Sequence, residues 1–431
     1  MLKAGFGKSI ITPRVGARLM GYANRTSPSI GVHDDLCARA LALESNGDAW
    51  VLCAVDLCYL REPQVKAVRE IVEQKTGFPA DRIFLCAVHT HSGPDDQDGS
   101  VWNTPLTELI ANSVIEATER MRPAQFGVGS GFLDGWSINR RWLDRPVDPF
   151  IGAVRIDDKN GRPMGAVSNF GCHAVVLGYD NLLISADWPG VTCEVVEKAL
   201  GPEAVCIVTQ GGSGDVNPLT NQVRARLQSG ISIGTMKGRV YYGNPKENFA
   251  WHIGDRGGGT FEEARELGTA VADEVLHIMS SVKTHTDVHE LWTHKITLDG
   301  SRQPSEPTYS STGEIPGHIT ERPNPPDPDG KRRMEFMMMG AEELGFIVIG
   351  QPGDVFAETV VATRRQLQTM GYVQPWTVGY ANGWHLYLPP EFAYPEGGYE
   401  VNWAVHLGIS SKLQSRVWEA MHPILSQHVH T

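Results

Sequence analysis

The sequence has no block of basic residues, no apolar run long enough to span a bilayer and no apolar segment near its start. Its 431 residues include 38 Lys and Arg against 50 Asp and Glu, so the formal net charge is -12. Nucleic acids and anionic membrane surfaces are bound through clustered positive charge, and both are therefore poor candidate partners. The N-terminus, MLKAGFGKSIITPRVG, lacks the hydrophobic core of a secretory signal. We expect a cytoplasmic protein without stable membrane association.

The cysteines are too few and too scattered for a disulfide framework. They number seven, an odd count, and most lie inside apolar runs such as VLCAVDLC and RIFLCAV. This pattern is typical of reduced cysteines in a protein core, and it also disfavours a structural zinc knot. With 41% hydrophobic and 20% charged residues, the chain has the composition of a globular protein with a large core.

Apolar runs rich in β-formers alternate with segments of helical period. The predicted strands are 36–44, 49–58, 82–88, 164–172, 204–209, 288–298 and 344–350, and the predicted helices are 62–76, 104–121, 189–200, 261–281, 355–370 and 402–425. Several strands are apolar throughout, which indicates that helices cover both faces of the sheet. The alternation predicts an α/β fold, a layered core of mixed β-sheet with covering helices. No interdomain linker is evident, so we expect one domain over 1–431.

Two long stretches lack a regular pattern. Residues 211–260 are rich in Gly and polar residues, and residues 300–334 have a density of Pro and Gly that disfavours regular structure. Loops of this length in a compact domain are usually functional lids or inserts. Both interpretations stay open here.

Histidines follow two of the predicted strands. His89 and His91 come directly after 82–88, and residues two apart in an extended chain point the same way. His173 follows 164–172 in the same manner. A catalytic zinc site needs about three protein ligands and an open position for water, so these residues are candidates. Solvent-exposed loop histidines and a hydrogen-bonded core histidine are the plainer alternatives. The candidate carboxylates are Asp187, Asp215, Asp354 and Glu358.

A glycine-rich segment, GGSGDVNP at 211–218, follows the strand 204–209. Clustered glycines let the backbone approach a ligand, and a tight structural turn is the alternative that stays open. The segment is neither a P-loop nor a dinucleotide-binding fingerprint, and the chain has no G-x-S-x-G elbow. Nucleotide binding and a serine hydrolase of that type are therefore disfavoured. The aromatic stretch WHLYLPPEFAYPEGGY at 384–399 is compatible with a ligand wall or with ordinary packing.

Taken together and in order, these segments resemble the neutral/alkaline non-lysosomal ceramidase family. The matching motifs are GFGKSIITP at 5–13, MGYA at 20–23, GVH at 31–33, ARA at 38–40, HTHSGP at 89–94, Asn139-Arg140, His173, SAD at 185–187, GDVNP at 214–218, PGD at 352–354, the segment 382–387, and Tyr399-Glu400. Each motif is weak alone, and the ordered set is specific. The resemblance implies a fold like the N-terminal domain of that family.

The resemblance also implies roles for individual residues. His89, His173, Asp354 and Tyr387 stand at the positions of zinc ligands. The residues at positions that contact the scissile group are His91, Arg140 and Tyr399. Zinc would activate a water and polarise a carbonyl. His91 could then shuttle a proton, while Arg140 and Tyr399 stabilise the oxyanion.

Three departures from the family pattern matter. Asn217 replaces the serine of G-D-V-S-P; an amide can orient a water or an oxyanion but cannot form an acyl-enzyme. Asp354 replaces a Glu one methylene longer, so Glu358 is a rival ligand. Finally, the chain ends soon after the resemblance does, and we expect neither the family's C-terminal immunoglobulin-like domain nor its secretion signal.

The leading hypothesis is therefore a zinc-dependent hydrolase that cleaves an amide-type C–N bond of a small molecule, not membrane ceramide, by a metal-activated water. Asn217 is included among its catalytic residues as an orienting group. An ester or lactone hydrolase is the close alternative. A non-hydrolytic zinc lyase or isomerase, or a catalytically silent binding protein on the same fold, are the others. A soluble enzyme of this size is often a symmetric homo-oligomer.

Overall fold

The computed structural model describes residues 1–23, 25–142, 145–228, 235–236, 239–240, 259–310 and 323–429. The strands in these ranges are β1 (Lys3–Ile10), β2 (Gly31–Val32), β3 (Cys37–Ser45), β4 (Asp48–Val55), β5 (Ile83–Ala87), β6 (Arg122–Phe132), β7 (Ser137–Asn139), β8 (Phe150–Asp158), β9 (Pro163–Phe170), β10 (Leu183–Ile184), β11 (Val205–Gln210), β12 (Val216–Pro218), β13 (Thr235–Met236), β14 (Arg239–Val240), β15 (Leu291–Asp299), β16 (Arg333–Ala341), β17 (Phe346–Gly350), β18 (Asp354–Val355), β19 (Gln374–Val378) and β20 (Tyr387–Leu388). The helices are α1 (Glu62–Thr76), α2 (Leu106–Glu119), α3 (Asp187–Leu200), α4 (Asn221–Gln228), α5 (Phe261–Ser281), α6 (Ala357–Met370), α7 (Tyr399–His406) and α8 (Leu413–Leu425).

Two large sheets dominate the described part of the fold. One has eight strands in the order β11-β9-β8-β6-β1-β3-β4-β5, and the other has four in the order β15-β16-β17-β19. Both are mixed, because β4 and β5, β9 and β11, and β17 and β19 pair in parallel among antiparallel neighbours. The predicted mixed α/β sheet is therefore confirmed.

The two sheets face each other across a shared apolar core. Within β4, Trp50 and Leu52 belong to a cluster that also contains Met337 and Val348 of the four-stranded sheet. The alternate residue Val51 points to the opposite face, where it joins α1 and α2. Helices α3 and α5 cover the outer face of the β8-β9-β11 part of the larger sheet. The prediction that helices cover both faces of the strands was wrong: the second sheet covers the inner face, which keeps it equally apolar.

Most predicted elements are confirmed to within a few residues, and the main error is at the C-terminus. The predicted helix 402–425 is two helices, α7 and α8, because the chain turns at Gly408 with φ of 67°. Strand β16 begins at Arg333, inside the end of the predicted loop 300–334. The predicted lids lie largely outside the described residues, since only 211–228, 235–236, 239–240 and 259–260 of the first and 300–310 and 323–334 of the second are described. No helix among the described residues combines the length and apolar character needed to cross a membrane.

The parallel strand pairs bring their carboxyl ends to a common edge. His89 follows β5, His173 follows β9, Ser213 follows β11, Asp354 follows β17 and Tyr380 follows β19. Ligands collect at this end of parallel strands in α/β proteins, because the side chains after each strand converge there. The topology therefore places residues distant in sequence in one small region.

Candidate metal centre and active site

His89 is held in place by a backbone carbonyl. Its Nδ1–H donates to the Cys58 carbonyl oxygen at 2.7 Å, and since a carbonyl can only accept, Nε2 keeps its lone pair. The ring stacks on Tyr380 with centroids 4.0 Å apart, and the backbone has φ of 65°. Burial lowers the pKa of His89 to about 3, so the imidazole is neutral and suited to a metal.

His173 is anchored in the same way from a different strand. Its Nδ1 donates to the Ser213 carbonyl oxygen at 2.5 Å, which again leaves Nε2 as the unprotonated nitrogen. Burial is the main cause that lowers its pKa well below the ordinary value, and the positive charge of Arg140 adds to it. Both histidines therefore present a neutral Nε2 whose orientation is set by a backbone carbonyl.

Asp354 faces both histidines. Its Oδ1 lies 3.5 Å from Nε2 of His89 and 3.6 Å from Nε2 of His173. Ligands of a tetrahedral zinc at about 2.0–2.1 Å are about 3.3 Å apart, so these spacings suit one shared ion. Burial raises the pKa of Asp354 to about 7, opposed by a hydrogen bond from Trp384 and by the charge of Arg140. Such a buried carboxylate is stabilised by a cation, and the three residues form a group that could hold a metal ion.

The other carboxylates considered are occupied elsewhere. Glu358, in the first turn of α6, is hydrogen-bonded and ion-paired to Arg145. Asp187 accepts from the backbone N–H groups of Leu177 and Trp188. Asp215 accepts from the Ala357 backbone N–H and from Asn139. The geometry therefore favours Asp354 over Glu358 as the carboxylate beside the histidines.

His91 lies at the edge of this cluster. Its Nε2 is 3.0 Å from Nε2 of His89, and its ring meets that of Tyr22 edge-on with centroids 4.9 Å apart. The Gly21 backbone runs so close that a Cβ there would be 2.3 Å from the His91 ring. Burial lowers the pKa of His91 well below its ordinary value, and His89 and Arg25 contribute to the lowering. His91 is therefore a neutral, tightly enclosed imidazole next to the metal-binding group.

Arg140 links the histidines to the C-terminal part of the chain. Its Nη1 donates to Oδ1 of Asn217 at 3.1 Å and lies 3.3 Å from Nε2 of His173. Its Nη2 donates to the hydroxyl oxygen of Tyr387 at 2.9 Å. Its Nε donates to Glu400 at 2.8 Å. Burial opposes the charged guanidinium, but Tyr387 and Glu400 outweigh it and raise the pKa of Arg140 well above its ordinary value.

Tyr387 and Tyr399 complete the set of predicted residues. Strand β20 pairs Tyr387 directly with Asp354 of β18, so the phenol and the carboxylate start from adjacent backbone positions. Tyr399 is half-buried at the start of α7, and its ring centroid is 5.6 Å from that of Tyr387. Every predicted site residue thus lies in one connected region, although the coordination and catalytic roles themselves are predictions.

Several residues of the site had no assigned role in the sequence analysis. Glu400 is buried and pairs with Arg140 and, through its other oxygen, with Arg141 at 3.3 Å. Trp384 and Tyr380 hydrogen-bond to Asp354. Glu400 lies in the motif Tyr399-Glu400 and Trp384 in the aromatic stretch 384–399, but nothing in a linear pattern specifies their partners. Tyr380 had no signal at all.

A cavity of about 1290 Å³ lies elsewhere, between β1, β3 and α3. It is lined by residues such as Lys8, Arg39 and Glu197, and its lining includes none of the predicted site residues. Some of its charged groups pair with one another, for example Lys8 and Arg39 with Glu197. The chemistry of the buried histidine cluster therefore identifies the candidate site, and cavity size does not.

The family model for the N-terminal part of neutral/alkaline non-lysosomal ceramidases matches residues 2–299. The chain belongs to this family. Neutral ceramidase B of Dictyostelium discoideum is 26% identical over 330 residues, which cover 68% of this chain and 45% of that protein. The neutral ceramidase of Pseudomonas aeruginosa is 26% identical over 249 residues, covering 50% and 37%. The chain therefore spans less than half the length of these ceramidases.

Solved structures show the fold over the remaining residues as well. The crystal structure of neutral ceramidase from Pseudomonas aeruginosa aligns with a TM-score of 0.75 at 20% identity, covering 100% of this chain and 75% of that one. The structure described as ceramidase complexed with C2 aligns with a TM-score of 0.74 at 19% identity. The ceramidase-like fold therefore extends beyond residue 299 to Asp354, Tyr387 and Tyr399, and the predicted fold class is confirmed.

Proposed function

We propose that this ceramidase-family protein is a zinc-dependent hydrolase that cleaves an amide-type C–N bond by a metal-activated water. The observation that carries the proposal is the convergence of Nε2 of His89, Nε2 of His173 and Oδ1 of Asp354 in a buried position. Two neutral imidazoles and a carboxylate are a typical donor set for catalytic zinc and leave a position for water. Tyr387 is proposed as a further ligand from the resemblance, in which case the water would be a fifth ligand. When bound, zinc would polarise the scissile carbonyl and lower the pKa of a water to about 7.

The protein's own residues supply the remaining functions of a hydrolase. His91 is neutral and lies beside His89, so it can take a proton from the attacking water and pass it to the leaving nitrogen. Arg140 carries a permanent charge, and Tyr399 has a phenol next to that of Tyr387. Both groups stabilise the oxyanion that develops on the substrate. Glu400 holds the guanidinium of Arg140 in its orientation.

Asn217 supports water as the nucleophile. Its Oδ1 accepts a hydrogen bond from Arg140, so the amide is oriented within the site, yet an amide cannot form an acyl-enzyme. We therefore expect hydrolysis in a single displacement, with Asn217 in a binding and orienting role.

We propose a small N-acyl or lactam compound as the substrate. The relatives are named ceramidases, and ceramide is itself an amide, so N-acylsphingosine belongs among the compounds tested. We further propose a cytoplasmic location, which the seven buried cysteines support because they form no disulfide and such thiols persist in a reducing compartment.

Metal analysis tests the first part of the proposal. Wild-type protein should contain about one zinc per chain, and His89→Ala and His173→Ala should lose it. His422→Ala, which alters an exposed histidine of α8, is the control and should retain zinc. A folded wild type that binds no zinc would refute the metal mechanism.

Turnover assays test the second part. Zinc-loaded protein is assayed with amides, lactams, N-acylsphingosine, esters and lactones, and with the metal-free protein as control. Preferred hydrolysis of an amide-type bond supports the proposal, preference for esters or lactones reassigns the substrate class, and no hydrolysis of any compound contradicts the enzyme function. Intact-mass measurement during turnover should show no acyl adduct, and an adduct would rule out the single displacement.

A further inference from the structure

Trp384 lies in a segment with unusual backbone geometry. Among the described residues other than glycine, positive φ occurs at Asn46, His89, Asp187, Tyr380, Asn382 and Leu386. Three of these six lie within residues 380–386. Positive φ costs of order 1 kcal/mol or more for such residues and persists only where surrounding contacts enforce it. Several backbone hydrogen bonds of this segment go to residues 351–354, which include Asp354.

The segment encloses Asp354 through both backbone and side chain. The Asp354 backbone N–H donates to the Leu386 carbonyl oxygen at 2.9 Å. The two backbone segments approach so closely that a Cβ on Gly353 would lie 2.3 Å from the same oxygen. On the other side, the Trp384 indole N–H donates to Oδ2 of Asp354 at 2.8 Å. The residue is thus held at its backbone and at one carboxylate oxygen.

Trp384 is itself fixed by a stack of side chains. Its ring lies on that of Tyr59 with centroids 4.0 Å apart and planes 7° from parallel. The guanidinium of Arg61 lies 5.4 Å from the centre of the Tyr59 ring, and the buried Asp96 accepts hydrogen bonds from Arg61. Trp384 is fully buried. The indole therefore has one orientation, and its N–H has one acceptor.

We propose that Trp384 is a positioning residue that directs the coordinating oxygen of Asp354 toward the metal; this inference rests on the proposed zinc site. A carboxylate can rotate about its last bond and present either oxygen. Donation from Trp384 occupies Oδ2, so that Oδ1 is the oxygen that faces His89 and His173. Outer hydrogen bonds of this kind typically change metal affinity by about 10–100-fold.

The test compares two tryptophan substitutions in the full-length protein. Trp384→Phe removes the N–H and retains an aromatic ring against Tyr59. Trp376→Phe is the matched control, because Trp376 is equally buried and its Nε1 has no hydrogen-bond partner among the described residues. Zinc affinity of each metal-free protein is measured by competition with a chromophoric chelator. Thermal unfolding of the metal-free proteins reports the change in stability caused by the smaller ring.

Trp384→Phe should bind zinc about 10–100-fold more weakly than wild type, while Trp376→Phe stays within about threefold. The visible spectrum of the cobalt-substituted protein should also change only for Trp384→Phe, since a purely structural role would not alter the coordination. If Trp384→Phe does not fold, 3-benzothienylalanine at position 384 retains the fused ring without the N–H and should show the same loss.

The outcomes separate this inference from the proposed function. If the wild type binds zinc, and Trp384→Phe or the benzothienylalanine protein binds it with the same affinity, the role of Trp384 is overturned and the zinc site stands. Equal losses in Trp384→Phe and Trp376→Phe also overturn it, because the effect would then follow from packing. A wild type without zinc affinity overturns both proposals.

Discussion

His89 and His173 are oriented by backbone carbonyl groups, whereas Asp354 is oriented chiefly by side chains. The carbonyls of Cys58 and Ser213 follow the ends of strands and are fixed by the larger sheet. Asp354 depends on Trp384 and Tyr380, which come from a segment of strained backbone after the smaller sheet. We call these the histidine half and the carboxylate half of the site. A half held by the backbone resists single side-chain changes, and a half held by side chains does not.

The largest expected effect comes from removing the carboxylate itself. Asp354→Ala should weaken zinc binding by about 1,000-fold or more, or about 4 kcal/mol, because the ion loses its anionic ligand. Glu358→Ala is the control and should retain zinc, since Glu358 pairs with Arg145. Chelator competition measures both. Loss of zinc from Glu358→Ala but not from Asp354→Ala would reassign the carboxylate half.

The next effect is expected at Glu400. Glu400→Gln leaves the buried Arg140 and Arg141 without their shared counter-charge, which should lower the free energy of unfolding by about 3 kcal/mol. Urea denaturation measures the change, with Glu419→Gln at an exposed position of α8 as control. A loss below about 1 kcal/mol would show that the two arginines do not depend on this carboxylate.

A pH dependence is expected from Asp187, a buried carboxyl next to Trp188, whose indole N–H donates to the His173 carbonyl oxygen. Burial raises the pKa of Asp187 from its ordinary value of 3.8 to about 7, with opposing hydrogen bonds from Leu177 and Trp188. The folded state therefore binds this proton more tightly than the unfolded state, and the contribution to stability falls as pH rises from about 4 to 7.

Asp187→Asn should remove that part of the slope while keeping a residue that tolerates the observed φ of 58°. The difference in the free energy of unfolding between the variant and wild type should shift in favour of the variant by on the order of 2 kcal/mol as pH rises from 4.5 to 7.5, whatever the absolute stability of the variant. Urea denaturation of both proteins across this range checks it. Parallel pH profiles would contradict the raised pKa.

The smallest effect expected is at Gly21, where the backbone itself contacts the ring of His91, beside the histidine half. Gly21→Ala places a Cβ 2.3 Å from the His91 ring at φ of 95°, so the ring must shift. Gly16→Ala has φ of 99° and nothing within 4 Å of the new Cβ, so it controls for backbone strain alone. Gly21→Ala should be about 1 kcal/mol less stable than Gly16→Ala and should lose activity at full zinc occupancy. Equal stability and activity in the two variants would show that His91 is not confined by Gly21.

The difference between the histidine half and the carboxylate half also explains which parts of the site could be predicted from the sequence. The strands that precede His89 and His173 are continuous apolar runs, so strand ends and histidines were identified from pattern alone. Strand β6 (RPAQFGVGSGF) was not predicted as a single strand, because its glycines allow α5 to pack closely and leave no apolar alternation. In the carboxylate half, Asp354 was one of four candidate carboxylates, and its selection, like that of Tyr387, came from the resemblance because no periodicity marks either residue. The partnership of Glu400 with two arginines depends on tertiary contacts that no linear spacing encodes.

One consequence follows from where the three donor atoms originate. His89 and His173 follow strands of the eight-stranded sheet, whereas Asp354 follows β17 of the four-stranded sheet. A metal ion coordinated by all three would join the two sheets at their common edge, as a crosslink between segments that are distant in the sequence. Separating the sheets there would then require breaking coordination bonds. Because such an ion binds only after both sheets have docked, its binding energy would add to the stability of the docked state.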